Sequence, residues 1–159
     1  MMKGIVTSPV VALVLRLVLG IIFLYSGIVK ATDPAGFAQA VANYHILPDS
    51  MINSVAILLP WVEIVTGGSL LFGVMTAGGA LVSSLLFVIF AGALTINVMR
   101  GLDVACGCFS TSAGAASANG FYILRDLILL AMAVHVLFCD RGMASLAVTF
   151  GKGVRRGKK

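Results

Sequence analysis

The sequence contains very little charge. Only 11% of its 159 residues are charged, and six of these are acidic, whereas 60% of the residues are hydrophobic and the mean hydropathy is +1.08. Soluble domains carry roughly 25% charged residues. The composition therefore excludes an ordinary water-soluble domain and predicts one integral membrane domain over residues 1–159.

Because acidic residues are scarce, the formal net charge is +5. More than half of the basic residues lie in the C-terminal tail, residues 139–159: Arg141, Lys152, Arg155, Arg156, Lys158 and Lys159. Attraction of this tail to anionic membrane lipid is enough to account for the positive charge. Membrane lipid is therefore an expected partner, and nucleic acid is not.

Four apolar segments are long enough to cross a hydrocarbon core, which takes about 20 helical residues. They cover approximately residues 9–29, 51–72, 75–98 and 120–138. After the first span, Phe37, Val41 and Tyr44 recur at helical spacing and allow a short interfacial helix. The sequence thus predicts an all-α fold, an integral membrane four-helix up-down bundle.

The second and third spans are joined by only a few residues, so they should be antiparallel neighbours. Two glycine pairs, Gly67-Gly68 and Gly78-Gly79, fall within these spans. Small residues let membrane helices approach closely. We therefore expect both pairs at helix contacts.

The distribution of Lys and Arg predicts the orientation of the bundle. Cytoplasmic flanks of membrane spans carry the excess of basic residues, which places the tail, and with four spans also the N-terminus, in the cytoplasm. The expected location is a bacterial-type inner (cytoplasmic) membrane, crossed several times. Cys106 and Cys108, between the third and fourth spans, would then face the periplasm or the exterior.

Arg16 and Glu63 are ionisable residues at membrane depth, where such side chains normally point into the bundle and have a partner. Counting helix rise from the span ends places the two at similar depth. We expect them to form an ion pair that fixes helix packing, or to belong to a proton path or a ligand site.

Four polar side chains near the outer ends of the spans form a predicted cationic rim, with Asp126 next to the last of them: Lys30, Asn97, Arg100 and Arg125. Cations there are typical of membrane-surface anchoring by long side chains. Collectively they could also stabilise a thiolate or a reduced quinone head group. They are the candidate cofactor-binding residues.

Three cysteines divide into the pair Cys106 and Cys108 and a third, Cys139, expected at the opposite side of the membrane. A disulfide across one intervening residue is sterically demanding, and Gly107 is the residue most able to permit it. Such a bond closes almost no loop, which favours reversible exchange over a structural role. Copper(I) binding by the thiolates remains open, although no Met- or His-rich cluster surrounds the pair, and no metal ligand is assigned.

Three motifs resemble those of a known family: Arg16-x3-Gly20-x2-Phe23-x2-Ser26-Gly27-x2-Lys30, Pro60-x2-Glu63-x3-Gly67 and Cys106-Gly107-Cys108-Phe109. In them the sequence resembles the MauE/DoxX-like membrane proteins, particularly the methylamine utilisation branch, over most of residues 16–138. Members of the family often carry an acidic residue before the first cysteine and a glycine after the phenylalanine, where this chain has Ala105 and Ser110.

The resemblance implies a four-helix membrane protein that helps to form disulfides in periplasmic partners, together with a thioredoxin-fold protein. The architecture also looks like the quinone-linked DsbB and vitamin K epoxide reductase group. The leading hypothesis is a thiol-disulfide oxidoreductase with Cys106 and Cys108 as catalytic residues and a membrane quinone, ubiquinone or menaquinone, as cofactor. Two alternatives remain open, a non-enzymatic copper-binding or copper-transporting protein and a DoxX-like accessory subunit.

Overall fold

The computed structural model describes residues 9–101 and 120–139. These residues form five helices and no strand: α1 Pro9–Thr32, α2 Pro34–Asn43, α3 Asp49–Phe72, α4 Thr76–Met99 and α5 Gly120–Cys139. All except α2 are long and apolar enough to cross a membrane. The predicted all-α fold with four spanning helices is confirmed.

Several sequence predictions concern segments that the structure does not describe. The basic tail after Cys139, the first eight residues and residues 102–119 lie outside the described residues. Cys106 and Cys108 belong to the segment 102–119 and so lie outside the described residues.

The short helix α2 begins at a local sequence signal. The Asp33 side chain accepts a hydrogen bond from the Gly36 N–H at 2.9 Å, and Pro34 occupies the first turn, where its missing N–H costs nothing. Phe37 is buried, and α2 packs against α3. A helix therefore follows the first span, as the apolar spacing predicted.

The connection between α3 and α4 is a tight turn. Gly73 takes a left-handed conformation (φ 67°) that has little steric cost for glycine, and the Val74 N–H donates to the Ser69 carbonyl at 3.1 Å. Only residues 73–75 separate the two helices. A connection this short makes α3 and α4 antiparallel neighbours, as predicted.

Helices α1 and α3 approach closely at glycines. A Cβ atom placed on Gly67 would lie 2.7 Å from the Leu24 nitrogen and 2.8 Å from the Gly20 carbonyl oxygen, and one on Gly27 would lie 2.8 Å from the Pro60 oxygen. The clashing atoms belong to the backbone, which cannot relieve the clash by a rotamer change as a flexible side chain can. Glycine is therefore required for this helix contact.

Only one member of each predicted glycine pair serves such a contact. A Cβ atom placed on Gly79 would lie 3.2 Å from the Leu70 side chain, whereas one on Gly68 would have no neighbouring atom within 4 Å and one on Gly78 only the Met75 Cβ at 4.0 Å. The expectation was wrong for Gly68 and Gly78. Adjacent residues of a helix point about 100° apart, so one of them turns away when the other faces a partner.

The core between the helices is apolar and aromatic. Phe23 of α1 and Phe87 of α4 meet edge to face, with ring centroids 5.1 Å apart, and buried leucine and alanine side chains from α1, α3, α4 and α5 surround them. Large apolar side chains such as Val65 and Ile21 are exposed on the outside. Helices that are apolar on every face are typical of a bundle that spans a membrane.

We expect Gly67→Ala to lower the free energy of unfolding by about 1–3 kcal/mol, because the new methyl group meets backbone atoms of α1. Gly68→Ala is the matched control. It adds the same methyl group where no atom lies within 4 Å and replaces glycine by a better helix former, so stability should hold or rise slightly. Thermal unfolding in detergent micelles measures both, and equal losses would contradict the α1–α3 contact.

Candidate functional site

A buried ion pair joins α1 to α3. The Lys30 Nζ lies 2.5 Å from the Glu63 Oε1, and both side chains are almost fully buried. Ser26, one helical turn before Lys30, accepts a hydrogen bond from Nζ at 3.0 Å and donates to the Glu63 Oε2 at 3.4 Å. The three buried side chains thus provide one another with a counter-charge and with hydrogen-bond partners, which reduces the cost of burying them.

Two aromatic rings complete the environment of the Lys30 ammonium. The Nζ atom lies 5.2 Å from the ring centroid of Phe37 on α2 and 5.1 Å from that of Phe90 on α4. The faces of aromatic rings carry negative charge density and attract cations at this distance. The single Lys30 side chain therefore touches α2, α3 and α4.

A second ion pair lies on α5. The Arg125 Nε and Nη2 atoms both approach the Asp126 Oδ1, at 3.2 and 2.9 Å. The Asp126 side chain is buried, and its Oδ2 has no hydrogen-bond partner among the described residues. The Arg125 guanidinium also lies 5.3 Å from the Tyr122 ring.

The two ion pairs border one small cavity. Glu63, Ser26, Arg125 and Asp126 line it together with apolar side chains, and its volume of about 20 Å³ is room for a single water molecule. Two basic and two acidic groups meet here, so the ionised cluster carries no net charge. We call Ser26, Lys30, Glu63, Arg125 and Asp126 the ionic cluster.

The predicted pairing of Arg16 with Glu63 was wrong. Arg16 is buried, but Ser26, which contacts Glu63, lies ten residues further along α1, and ten helical residues span about 15 Å. The depth argument failed because α3 begins beyond the end of α1. Gly27 faces Pro60, so the residues of α3 before Pro60 extend alongside α2 instead.

The predicted cationic rim divides in the structure. Lys30 and Arg125 enter the ionic cluster, and Lys30 is buried and paired with Glu63 instead of reaching the membrane surface. Arg100 is exposed at the end of α4, with its Nη1 3.5 Å from the His45 carbonyl oxygen. Asn97 is buried, and its Nδ2 donates to the Ala93 carbonyl oxygen at 3.2 Å.

A larger, apolar cavity of about 330 Å³ lies between α2, α3 and α4. Its lining includes Phe37 and Tyr44 from α2, Leu59 from α3, and Phe90 and Ala93 from α4. Phe90 also lines the small cavity beside the ionic cluster. One phenyl ring thus separates the large apolar space from the ionic cluster.

Comparison with known proteins identifies the family. The family model described as methylamine utilisation protein MauE matches residues 8–139. This chain belongs to the MauE family. Over 136 residues it is 32% identical to a methylamine utilization protein MauE of Methylophilus methylotrophus, covering 85% of this chain and 72% of that protein.

A second MauE protein, from Paracoccus denitrificans, is 31% identical over 136 residues, covering 85% of this chain and 73% of that protein. A third, from Paracoccus versutus, is 29% identical over 134 residues, covering 84% and 72%. No solved structure gives a significant match. The resemblance seen in the sequence motifs is therefore confirmed at the level of the MauE family.

Sequence reasoning placed Asp126 beside Arg125 at the rim but did not predict its burial in the ionic cluster, and it missed the two rings beside Lys30 in this MauE-family chain. Asp126 follows Arg125 directly, and an acidic residue inside an apolar span is a signal that it is buried with a partner. Ser26 and Lys30 are spaced one helical turn apart, which predicts that they share a face. Nothing in the sequence connects Phe37 and Phe90 to Lys30, because they come from different helices.

We expect Glu63→Gln in this MauE-family protein to destabilise the bundle by about 3–5 kcal/mol, because it leaves the buried Lys30 ammonium without its counter-charge. Replacing both partners, Lys30→Met with Glu63→Leu, should cost much less. Unfolding in detergent micelles would measure the coupling.

The matched control combines Arg16→Met with Glu63→Gln. Residues about 15 Å apart should have additive effects within about 0.5 kcal/mol. A strong coupling between Arg16 and Glu63, with none between Lys30 and Glu63, would contradict the pairing described above.

Proposed function

We propose that this chain is a membrane thiol-disulfide oxidoreductase that passes electrons from an exported thioredoxin-fold protein to a membrane quinone. The observation that carries the proposal is the Cys106-Gly107-Cys108 motif, placed between two membrane-spanning helices of a MauE-family chain. The names of its relatives suggest that the reaction serves methylamine utilisation.

The position of the motif along the chain supports this role. The cysteines lie on the connection from α4 to α5, and the end of α4 meets α2 and the start of α5 where Leu94 packs against Tyr44 and Tyr122. Cys108 is the seventh residue after Gly101, a reach of about 25 Å when the chain is extended. Both sulfurs are therefore tethered to the end of the bundle that contains the ionic cluster and the apolar cavity.

The chemistry follows from the oxidised pair. A thiolate of the reduced partner attacks one sulfur of the Cys106–Cys108 disulfide, forms a mixed disulfide and releases the other cysteine as a thiolate. The second thiol of the partner then attacks its own sulfur in the mixed disulfide. The partner leaves oxidised, and Cys106 and Cys108 are left as two thiols.

Quinone completes the cycle. The two thiols give two electrons and two protons to the quinone, which becomes a quinol, and the Cys106–Cys108 disulfide forms again. A bond across a single glycine is strained, and strained disulfides have more oxidising potentials, which favours transfer of the oxidising equivalent to the partner. The same residues could run the reaction in the reductive direction if the partner is the oxidised species.

We infer the orientation from the basic residues. The Lys- and Arg-rich tail after Cys139 favours a cytoplasmic C-terminus in the inner membrane, and four spans bring the N-terminus to the same side. Cys106 and Cys108 then face the periplasm, where disulfides persist. Cys139, at the far end of α5, faces the reducing cytoplasm and has no redox role in this scheme.

We expect Cys106→Ser or Cys108→Ser to trap a mixed disulfide with a thioredoxin-fold protein, because the remaining thiolate attacks the disulfide of the oxidised partner and displaces one partner thiolate, and this chain then has no neighbouring cysteine to resolve the new bond. Non-reducing electrophoresis and mass spectrometry of the trapped species would identify the partner. Cys139→Ser is the matched control, since it removes a thiol from the same chain and should leave dithiol-dependent quinone reduction unchanged.

Other outcomes would favour the alternatives. Failure of both single variants to trap any thioredoxin-fold protein would contradict the exchange mechanism. Stoichiometric copper(I) binding through both thiols, together with no quinone reduction by a dithiol donor, would favour a copper-binding protein. Undisturbed cellular function after replacement of both cysteines would favour an accessory subunit.

A further inference from the structure

The apolar cavity between α2, α3 and α4 is large for a bundle of this size. Its volume of about 330 Å³ falls within the range of small-molecule sites, which are mostly apolar and aromatic with few polar groups. Tyr44 is the lining residue whose side chain carries a polar atom; the remaining lining side chains are hydrocarbon. A ligand here must be largely apolar and must come from the membrane.

The aromatic part of the lining favours a flat ring over a flexible chain. Phe37, Tyr44 and Phe90 present three rings to one space, and aromatic rings bind other planar π-systems by offset or edge-to-face contact. A saturated acyl chain gains nothing specific from such contacts. The cavity therefore fits a planar, apolar ring better than a lipid tail.

The wall of the cavity also borders the ionic cluster. Phe37 and Phe90 line the cavity, and the same two rings lie about 5 Å from the Lys30 Nζ. Lys30 is neutralised by Glu63, so this wall brings two ring faces to the cavity and no net positive charge.

We propose that this cavity is the binding site for the quinone ring, with Phe37, Tyr44 and Phe90 as its aromatic wall. The proposal rests on the proposed function for its ligand, but it assigns the ring to the pocket between α2, α3 and α4, not to the predicted rim of Asn97 and Arg100.

The test fills the cavity without touching the cysteines or the ionic cluster. Ala40→Phe introduces a ring from α2 into the space, and Ala93→Phe does so from the opposite wall on α4. Ala35→Phe is the matched control for α2 and Ala77→Phe for α4, because both add the same ring at an exposed position of the same helix. The full chain is assayed in lipid nanodiscs with dithiothreitol and a short-chain ubiquinone analogue.

We expect the filled variants to raise the KM for the quinone analogue at least tenfold, while the controls keep the wild-type value. Reaction of the cysteine pair with dithiothreitol alone should stay unchanged in all four variants. An unchanged quinone KM in whichever filled variant folds would overturn the assignment.

A photoreactive quinone gives a second measure that does not depend on turnover. It should label peptides of α2 or of residues 86–93 of α4, and Ala40→Phe should abolish the label. Labelling at these peptides without quinone reduction would contradict the proposed function but would still support the binding site. Quinone reduction with labelling elsewhere, or a phospholipid chain that occupies the cavity and is not displaced by quinone, would overturn the site alone.

Discussion

The structure depends on the burial of one lysine. Lys30 and Glu63 meet inside an apolar bundle, where either charge alone would be costly and where each limits how the other helix can slide or turn. Glycine contacts between α1 and α3 let the helices come close enough for the pair to form. The rings of Phe37 and Phe90 then bring α2 and α4 to the same ammonium group.

Around this pair the interior separates into two kinds of space. On one side, Glu63 and Asp126 border a cavity the size of one water molecule, in a cluster whose basic and acidic groups balance. On the other side, α2 closes an apolar cavity many times larger. Phe90 belongs to both walls, so in this MauE-family protein a single phenyl ring lies between an apolar cavity and the buried ionic cluster.

The prediction from sequence was reliable where a property depends on one segment. Hydropathy predicted the spanning helices, and the apolar spacing after the first span predicted α2. It failed where two segments must be aligned. The depth count matched Arg16 to Glu63 because it set the start of α3 level with the end of α1, whereas Gly27 lies opposite Pro60, a full three turns into α3.

Sequence alone thus determined the number of spans, the glycines available for close contact and the presence of a Cys-Gly-Cys motif, because each of these depends on a single local segment of the chain. Tertiary structure alone decided which cation meets Glu63, which members of the glycine pairs touch a neighbour, and that Asp126 joins the cluster. The physical reason is that these outcomes depend on the offset and rotation of whole helices. A shift of one turn moves each side chain by about 5.4 Å and exchanges its partners.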